Sequence, residues 1–170
     1  ASPMLKTGDV GKIIRESSSF AVSGSDVICE LAISDNLFPC DFDDNQISQV
    51  IENLVINSIQ AIQGKSGRIT ISAENSFLSP TASEPDHAGR FVKITVEDNG
   101  VGIPGDAIKH IFDPFYTTKK TGSGLGLATC YSIIKSHRGF IDVDSISGKG
   151  ASFRIYLPAS NTYISSEKEN

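Results

Sequence analysis

The 170-residue sequence contains no tryptophan, a single methionine and three cysteines. Cys29, Cys40 and Cys130 are odd in number, widely spaced and form no C-x-x-C pair, which excludes a disulfide framework or a thiolate zinc site and predicts reduced, mostly buried thiols. Basic charge is also short. Fifteen Lys and Arg stand against twenty Asp and Glu, a net charge of -5, so the global field attracts neither nucleic acid nor an anionic membrane, and any polyanion must be held locally. No apolar run approaches the roughly 18 residues of a membrane span, and no basic segment followed by an apolar one opens the chain. These absences predict a cytoplasmic module with no nucleic-acid or membrane contact of its own, whether or not a parent protein is membrane-anchored, and the fragment is expected to be monomeric. His87, His110 and His137 are isolated in sequence and are expected on the surface or in structural roles.

The length fits one domain, expected over residues 1–158, with a polar tail over 159–170. Residues 9–21 read as a helix capped by Asp9, and 27–33 as a strand. The clearest helix is 45–63, where Ile47, Val50, Ile51, Leu54, Val55, Ile59 and Ile62 recur at helical spacing before a stop at Gly64. Residues 68–74 and 91–97 are predicted strands around a polar loop at 79–86. Short helices are expected at 104–111 and 126–136, and a closing hairpin from 139–145 and 151–157. Most connections between strands are too short for a parallel crossover, which favours a two-layer α/β sandwich with a mixed, largely antiparallel sheet.

Two glycine-rich segments are decoys. Gly64-Lys65-Ser66 ends like a P-loop, but the first glycine of that motif would fall on Ile59, inside a helix. Gly122-Ser123-Gly124-Leu125-Gly126 has G-x-G-x-G spacing and does not leave a strand, so it is not a dinucleotide fingerprint.

Four segments carry chemistry. Asn53 and Asn57 lie one turn apart at the rim of the apolar helix face, where paired amides offer oxygens to a cation and N–H groups to phosphates. Val96-Glu97-Asp98-Asn99-Gly100-Val101-Gly102-Ile103 ends a strand with an acid and bends at two glycines, so a carboxylate can accept from an exocyclic amine while backbone approaches a flat ring. Phe112-Asp113-Pro114-Phe115-Tyr116-Thr117-Thr118-Lys119-Lys120 packs aromatics about a proline and then presents hydroxyls and ammonium groups. Gly122 to Leu127 leads into a helix whose freed N–H groups make an anion site. Each segment alone also has a bland reading: solvated amides, an Asp-Asn-Gly turn, a hydrophobic plug and a flexible loop.

Together and in this order the segments resemble the N, G1, F and G2 boxes of histidine kinases, within the superfamily of gyrase, heat-shock chaperone, histidine kinase and MutL ATPases. The resemblance runs from about Gln46 to Pro158, and its first and third boxes look like those of nitrogen-regulator sensor kinases. It implies a Bergerat-type sandwich that binds Mg2+-ATP and donates the γ-phosphoryl group to a histidine on separate dimerisation helices, in two-component signalling to a response regulator. Asn57 would ligate Mg2+, Asn53 would assist with metal or phosphate, and Asp98 would bind the adenine amine. Ala61, Gly100, Gly102 and Ile103 would border the nucleotide. Phe112, Tyr116, Thr118 and Lys119 would begin a lid, with Lys119 touching phosphate, and Gly122, Ser123, Gly124, Leu125, Gly126 and Leu127 would close on the phosphates.

Three departures stand out. Gly150-Ala151-Ser152-Phe153 lacks the hydroxyl that the family often carries at position 151, and Ser152 points the other way on a strand. Arg138 stands where a glycine is common. The family's phosphoacceptor box, a histidine followed by an acid, is absent, since the three histidines precede Ala88, Ile111 and Arg138. No residue is therefore assigned as catalytic, Asn53 being the one candidate. A hydrolytic relative would carry a Glu one turn before the metal-binding Asn; here that position is Asn53, and Glu52 points about 100° away. A nucleotide-sensing scaffold without transfer activity is the third reading, separable by measuring Mg2+-ATP affinity beside phosphotransfer.

Overall fold

The computed structural model describes residues 2–64, 66–117 and 124–162. Within them a five-stranded sheet runs in the order β2-β4-β5-β7-β6 and a two-stranded ribbon pairs β1 with β3. The strands are β1 (Lys6–Gly8), β2 (Ile28–Ile33), β3 (Cys40–Phe42), β4 (Arg68–Leu78), β5 (Gly89–Asp98), β6 (Phe140–Ile146) and β7 (Gly150–Pro158). Helices α1 (Val10–Val22), α2 (Asp44–Ile62) and α3 (Gly126–Ser136) form the second layer. Only β2 and β4 run parallel, because the chain between them detours through β3 and α2; the remaining pairs are antiparallel. The expected two-layer sandwich is what forms.

Helix α2 holds the layers together. Asp43 caps it by accepting from Gln46 N at 3.1 Å, and Gln63 ends it in the left-handed conformation at φ 51°, one residue before the expected glycine. Backbone N–H groups of Met4 and Gln46 hold the Asp43 carboxyl below the usual carboxylate range. Ile47, Val50, Ile51, Leu54, Val55 and Ile62 are buried against Ile69, Ile71, Val92, Ile94, Val96, Phe153 and Ile155 from the sheet. Each such side chain contributes about 1.5–3 kcal/mol relative to exposure. On the outer side Ser17 of α1 meets Ser48 of α2, with 2.7 Å between hydroxyls. Residues 159–160 follow β7 back onto β3: Ala159 bridges Cys40, and Ser160 N donates to Pro39 O at 2.7 Å.

Three features differ from the sequence expectations. The helix expected over 104–111 is only a 3-10 turn, Ile108–His110, held by bonds such as His110 N to Ala107 O at 2.9 Å. Gly105 and Asp106 are poor helix formers, and Ala107 and Ile111 alone give too narrow an apolar face to support a longer helix. Strands β4 and β5 extend past the expected ends, pairing as far as Leu78↔Gly89. Their shared ladder outruns the apolar alternation that marks the core. Strands β1 and β3, three residues each, were not expected at all, because alternation is unreadable at that length.

Cys40 and Cys130 are buried and Cys29 half-buried, all three as free thiols. Burial, with Asp41 and Asp9 adding for Cys40, pushes the Cys40 and Cys130 thiols up to about 12. Alkylation at neutral pH is therefore expected at Cys29 first, with Cys40 and Cys130 reacting only after unfolding; peptide mass spectrometry showing equal native labelling of all three would contradict this packing.

Candidate functional site

Asp98 closes β5 on the face set by Val92, Ile94 and Val96, the period-two row that looks into the helical layer. It is only 5% exposed. Its Oδ1 accepts from Gly100 N at 2.9 Å and from Ala151 N at 3.4 Å, while its Oδ2 is buried with no hydrogen-bond partner among the described residues. An ionisable carboxylate oxygen sealed from water and left unpaired is costly, and such atoms mark places where a ligand or water completes the site.

Two glycines make this close packing possible. A Cβ on Gly100 would lie 2.6 Å from the Ala61 carbonyl oxygen, and one on Gly102, at φ +75°, would lie 2.4 Å from that of Ile146. Close approach is fixed by Val101 N donating to Ala61 O at 2.9 Å and Gly148 N to Val101 O at 2.6 Å. Ile103 N donates to Ser145 Oγ at 2.7 Å, and the same hydroxyl donates to Gly150 O at 2.9 Å. The end of α2, the turn after β5 and the β6–β7 hairpin thus meet as one floor.

The amides of α2 flank that floor. Asn53 and Asn57 are both half-buried, and Asn53 Nδ2 donates to Gly126 O at 3.3 Å, joining α2 to the first residue of α3. The first turn of α3 has no side-chain cap, so its N–H groups stay available to an anion. Gly124, at φ +73°, fits against the backbone of Phe115 and Tyr116, and Phe115 N donates to Gly124 O at 3.1 Å. The two ends of the intervening segment are therefore braced together. Phe112 anchors the incoming end through Tyr131 and Phe153, at ring separations of 5.6 and 6.4 Å. Tyr116 and Leu127 pack on the core edge with Ile103, whereas Leu125 is exposed. Thr118, Lys119, Lys120, Gly122 and Ser123 lie outside the described residues.

Other expected features find structural places. His137 is buried, its Nε2 accepting from Asp43 N at 3.1 Å and its Nδ1 bonded to Ile133 O at 2.8 Å, a satisfied joint between α3 and the start of α2. Arg138 follows at φ 63°, so a side chain occupies a left-handed position that favours glycine. Ala151 is buried beside Asp98 and Ser152 lies on the other strand face, as alternation requires. A cavity of about 620 Å³ bordered by Arg90, Lys135 and Arg138 lies at the opposite ends of β5 and α3, away from Asp98. Sequence reasoning missed Ser145, which braces the floor, because only the register Ser145↔Ala151 brings it there.

Known proteins resemble this chain in sequence and in fold. The family described as histidine kinase-, DNA gyrase B- and HSP90-like ATPase matches residues 42–161. The chain is 41% identical over 129 residues to sensor histidine kinase ZraS of Escherichia coli O157:H7, covering 76% of this chain and 25% of that protein. It is 37% identical over 134 residues to sporulation kinase E of Bacillus subtilis, covering 79% and 16%. The nucleotide-free catalytic domain of histidine kinase ThkA superposes with a TM-score of 0.74 at 28% identity, covering 91% of this chain and 95% of that one. An α/β sandwich with this floor, and a family match over most of its length, place the chain in a class of ATPase domains. The chain belongs to the histidine kinase-, DNA gyrase B- and HSP90-like ATPase family. It spans a quarter or less of the length of ZraS and of sporulation kinase E.

The floor makes a direct prediction. Gly102→Ala is expected to lower stability by about 1–3 kcal/mol, since its Cβ has no room and its φ is unfavourable. Gly105→Ala, where nothing lies within 4 Å of an added Cβ, is expected to stay within about 0.5 kcal/mol of the parent. Urea unfolding of both variants checks this; equal stabilities would mean the turn is not tightly seated.

Proposed function

We propose that the chain binds Mg2+-ATP at the floor formed by Asp98, Gly100, Gly102 and Ala61, and donates the γ-phosphoryl group to a histidine on the dimerisation helices of a parent sensor kinase. The observation that carries this reading is the buried Oδ2 of Asp98, an acceptor without a partner among the described residues, beside the closely packed backbone of Gly100 and Gly150. An exocyclic amine of a 6-aminopurine satisfies it, whereas a 6-oxo group would set carbonyl against carboxylate. The uncapped start of α3, with Gly124, Leu125, Gly126 and Leu127, suits the phosphates, and Lys119 is proposed to join them. Asn57 offers one neutral oxygen, which suits Mg2+ because that ion keeps octahedral geometry and takes most ligands from phosphate and water. When bound, Mg2+-ATP supplies the transferable phosphoryl group; the chain's own residues bind, orient and exclude water.

Transfer is favoured over hydrolysis by the residue one turn before Asn57. Asn53 is a poor base, and its amide nitrogen is already engaged by Gly126 O. None of His87, His110 and His137 is followed by an acid, so the accepting histidine is proposed to lie on another domain, with a response regulator receiving the group afterwards.

Asp98→Ala is expected to weaken ATP binding about 10- to 100-fold with the fold intact, as loss of a charged hydrogen bond predicts; isothermal titration giving parental affinity would remove Asp98 from the site. Incubated with γ-labelled ATP, the chain alone is expected to acquire no acid-labile label and to release only traces of phosphate, while an added dimerisation domain becomes labelled. Sustained phosphate release by the chain alone would favour the hydrolytic reading instead.

A further inference from the structure

The far end of α3 carries features that ATP binding at Asp98 does not use. Helix α3 is 11 residues long, so its last turn lies about 15 Å from Gly126 and the proposed phosphate end. Beyond that turn the chain reverses through Arg138 at φ 63°, a left-handed conformation that strains an L side chain and that glycine adopts freely. Gly139 follows, packed so closely that an added Cβ would lie 2.3 Å from Tyr156 O, and its N–H caps Ile134 O at 3.0 Å. Backbone contacts fix this turn, and glycine at 138 would suit it better. Arginine brings strain to the position, and its side chain makes no hydrogen bond or ion pair among the described residues.

Arg138 borders a cavity of about 620 Å³ together with Arg90 and Lys135. Those two cations also lack ion pairs among the described residues; Arg90 lies over the Phe38 ring at 5.1 Å and Lys135 over the Tyr131 ring at 5.5 Å. A ring contact steadies a cationic head group and leaves N–H donors unpaired. Among the described residues on the border Asp86 is the one carboxylate, so three cations stand against one acid on a chain whose net charge is -5. The end of α3 adds no bare acceptor, because the carbonyls of Ile133, Ile134 and Lys135 already accept from the N–H groups of His137, Arg138 and Gly139.

We propose that this cavity is a second anion site, in which Arg90, Lys135 and Arg138 bind the phosphate of a small organic phosphate monoester. An excess of two positive charges suits a dianion, and a phosphate monoester carries nearly that charge at neutral pH. Guanidinium groups match its oxygens as forked donors. The volume is more than inorganic phosphate fills and lies within the range of small-molecule sites, about 300–1,000 Å³. Phe91, Pro158 and Ala159 give part of the border an apolar surface for the organic body. The three segments that bound the cavity, 86–91, 135–139 and 158–161, make a compact recess and not the extended groove that an acidic peptide needs.

The proposal is independent of ATP binding at Asp98, and residue-resolved titration keeps the two ends of α3 apart. Phenyl phosphate is added to the 15N-labelled chain while backbone amide and arginine side-chain resonances are followed. Arg90, Lys135, Arg138 and Gly139 are expected to shift along one binding curve, distinct from any response at Gly126. Arg138→Gly and Arg90→Gln are each expected to weaken that curve about 10-fold, as loss of a charged hydrogen bond predicts, while Arg15→Gln, an exposed change on α1, keeps parental affinity. Arg138→Gly is also expected to melt at an equal or higher temperature without ligand, since it relieves the turn; a purely structural arginine would give a lower one. Absence of shifts around the cavity, shifts confined to the start of α3, or parental affinity in either cavity variant overturns the site. A hexaglutamate peptide that shifts the cavity residues where phenyl phosphate does not would assign the recess to an acidic partner segment and overturn the phosphate reading.

Discussion

The close approach of α2 to the turn leaving β5 sets the geometry of everything around it. Val101 N reaches the Ala61 carbonyl at 2.9 Å, and Gly100 has no room for a Cβ there. On the other side Gly150, at φ +118°, passes so near that an added Cβ would lie 2.0 Å from the Asp98 carbonyl oxygen. With backbone pressed on backbone from two directions, the Asp98 side chain has one direction left to occupy, the space under α2. Its burial follows from those contacts, while its Oδ2 has no partner among the described residues.

Helix α2 consequently serves two ends with one face and its rim. The buried aliphatic row holds the sheet, while Asn53 and Asn57 sit at its rim, where the nucleotide is proposed to bind. A change in the packing of that row would move the Asn53 and Asn57 amides with it. The cap at Asp43 extends this coupling, since the same residue receives Met4 N at 2.9 Å and its own N–H goes to His137 at the end of α3. Both ends of α3 are thereby tied to α2: Gly126 to Asn53 at the start, and His137 to Asp43 at the finish. The start of α3, proposed to meet the phosphates, is held by Asn53 of the helix that carries the proposed metal ligand.

Members of this family differ in what they do with a bound nucleotide, and the fold does not decide between them. In the function proposed above, the difference turns on the side chain one turn before Asn57, the proposed metal ligand. A carboxylate there can orient water; Asn53 instead spends a donor on the α3 backbone, which adds rigidity and no base.

The sequence alone determined the elements whose signals are local. Helical spacing of aliphatics marked α2, glycines two residues apart marked the turn after Asp98, and the glycine run before an apolar helix marked the start of α3, because propensity, periodicity and φ freedom act over a few residues. It overstated the segment after Pro104, where local signals favoured a helix that has too little apolar surface to persist beyond one turn. Tertiary structure decided what depends on distant segments meeting. Ser145 becomes a brace only through its register with Ala151, β1 finds β3 across more than thirty residues, and Asp98 Oδ2 is left without a partner among the described residues only once the turn after β5 packs against α2. Whether a polar atom has a partner is a property of packing, and no spacing along the chain encodes it.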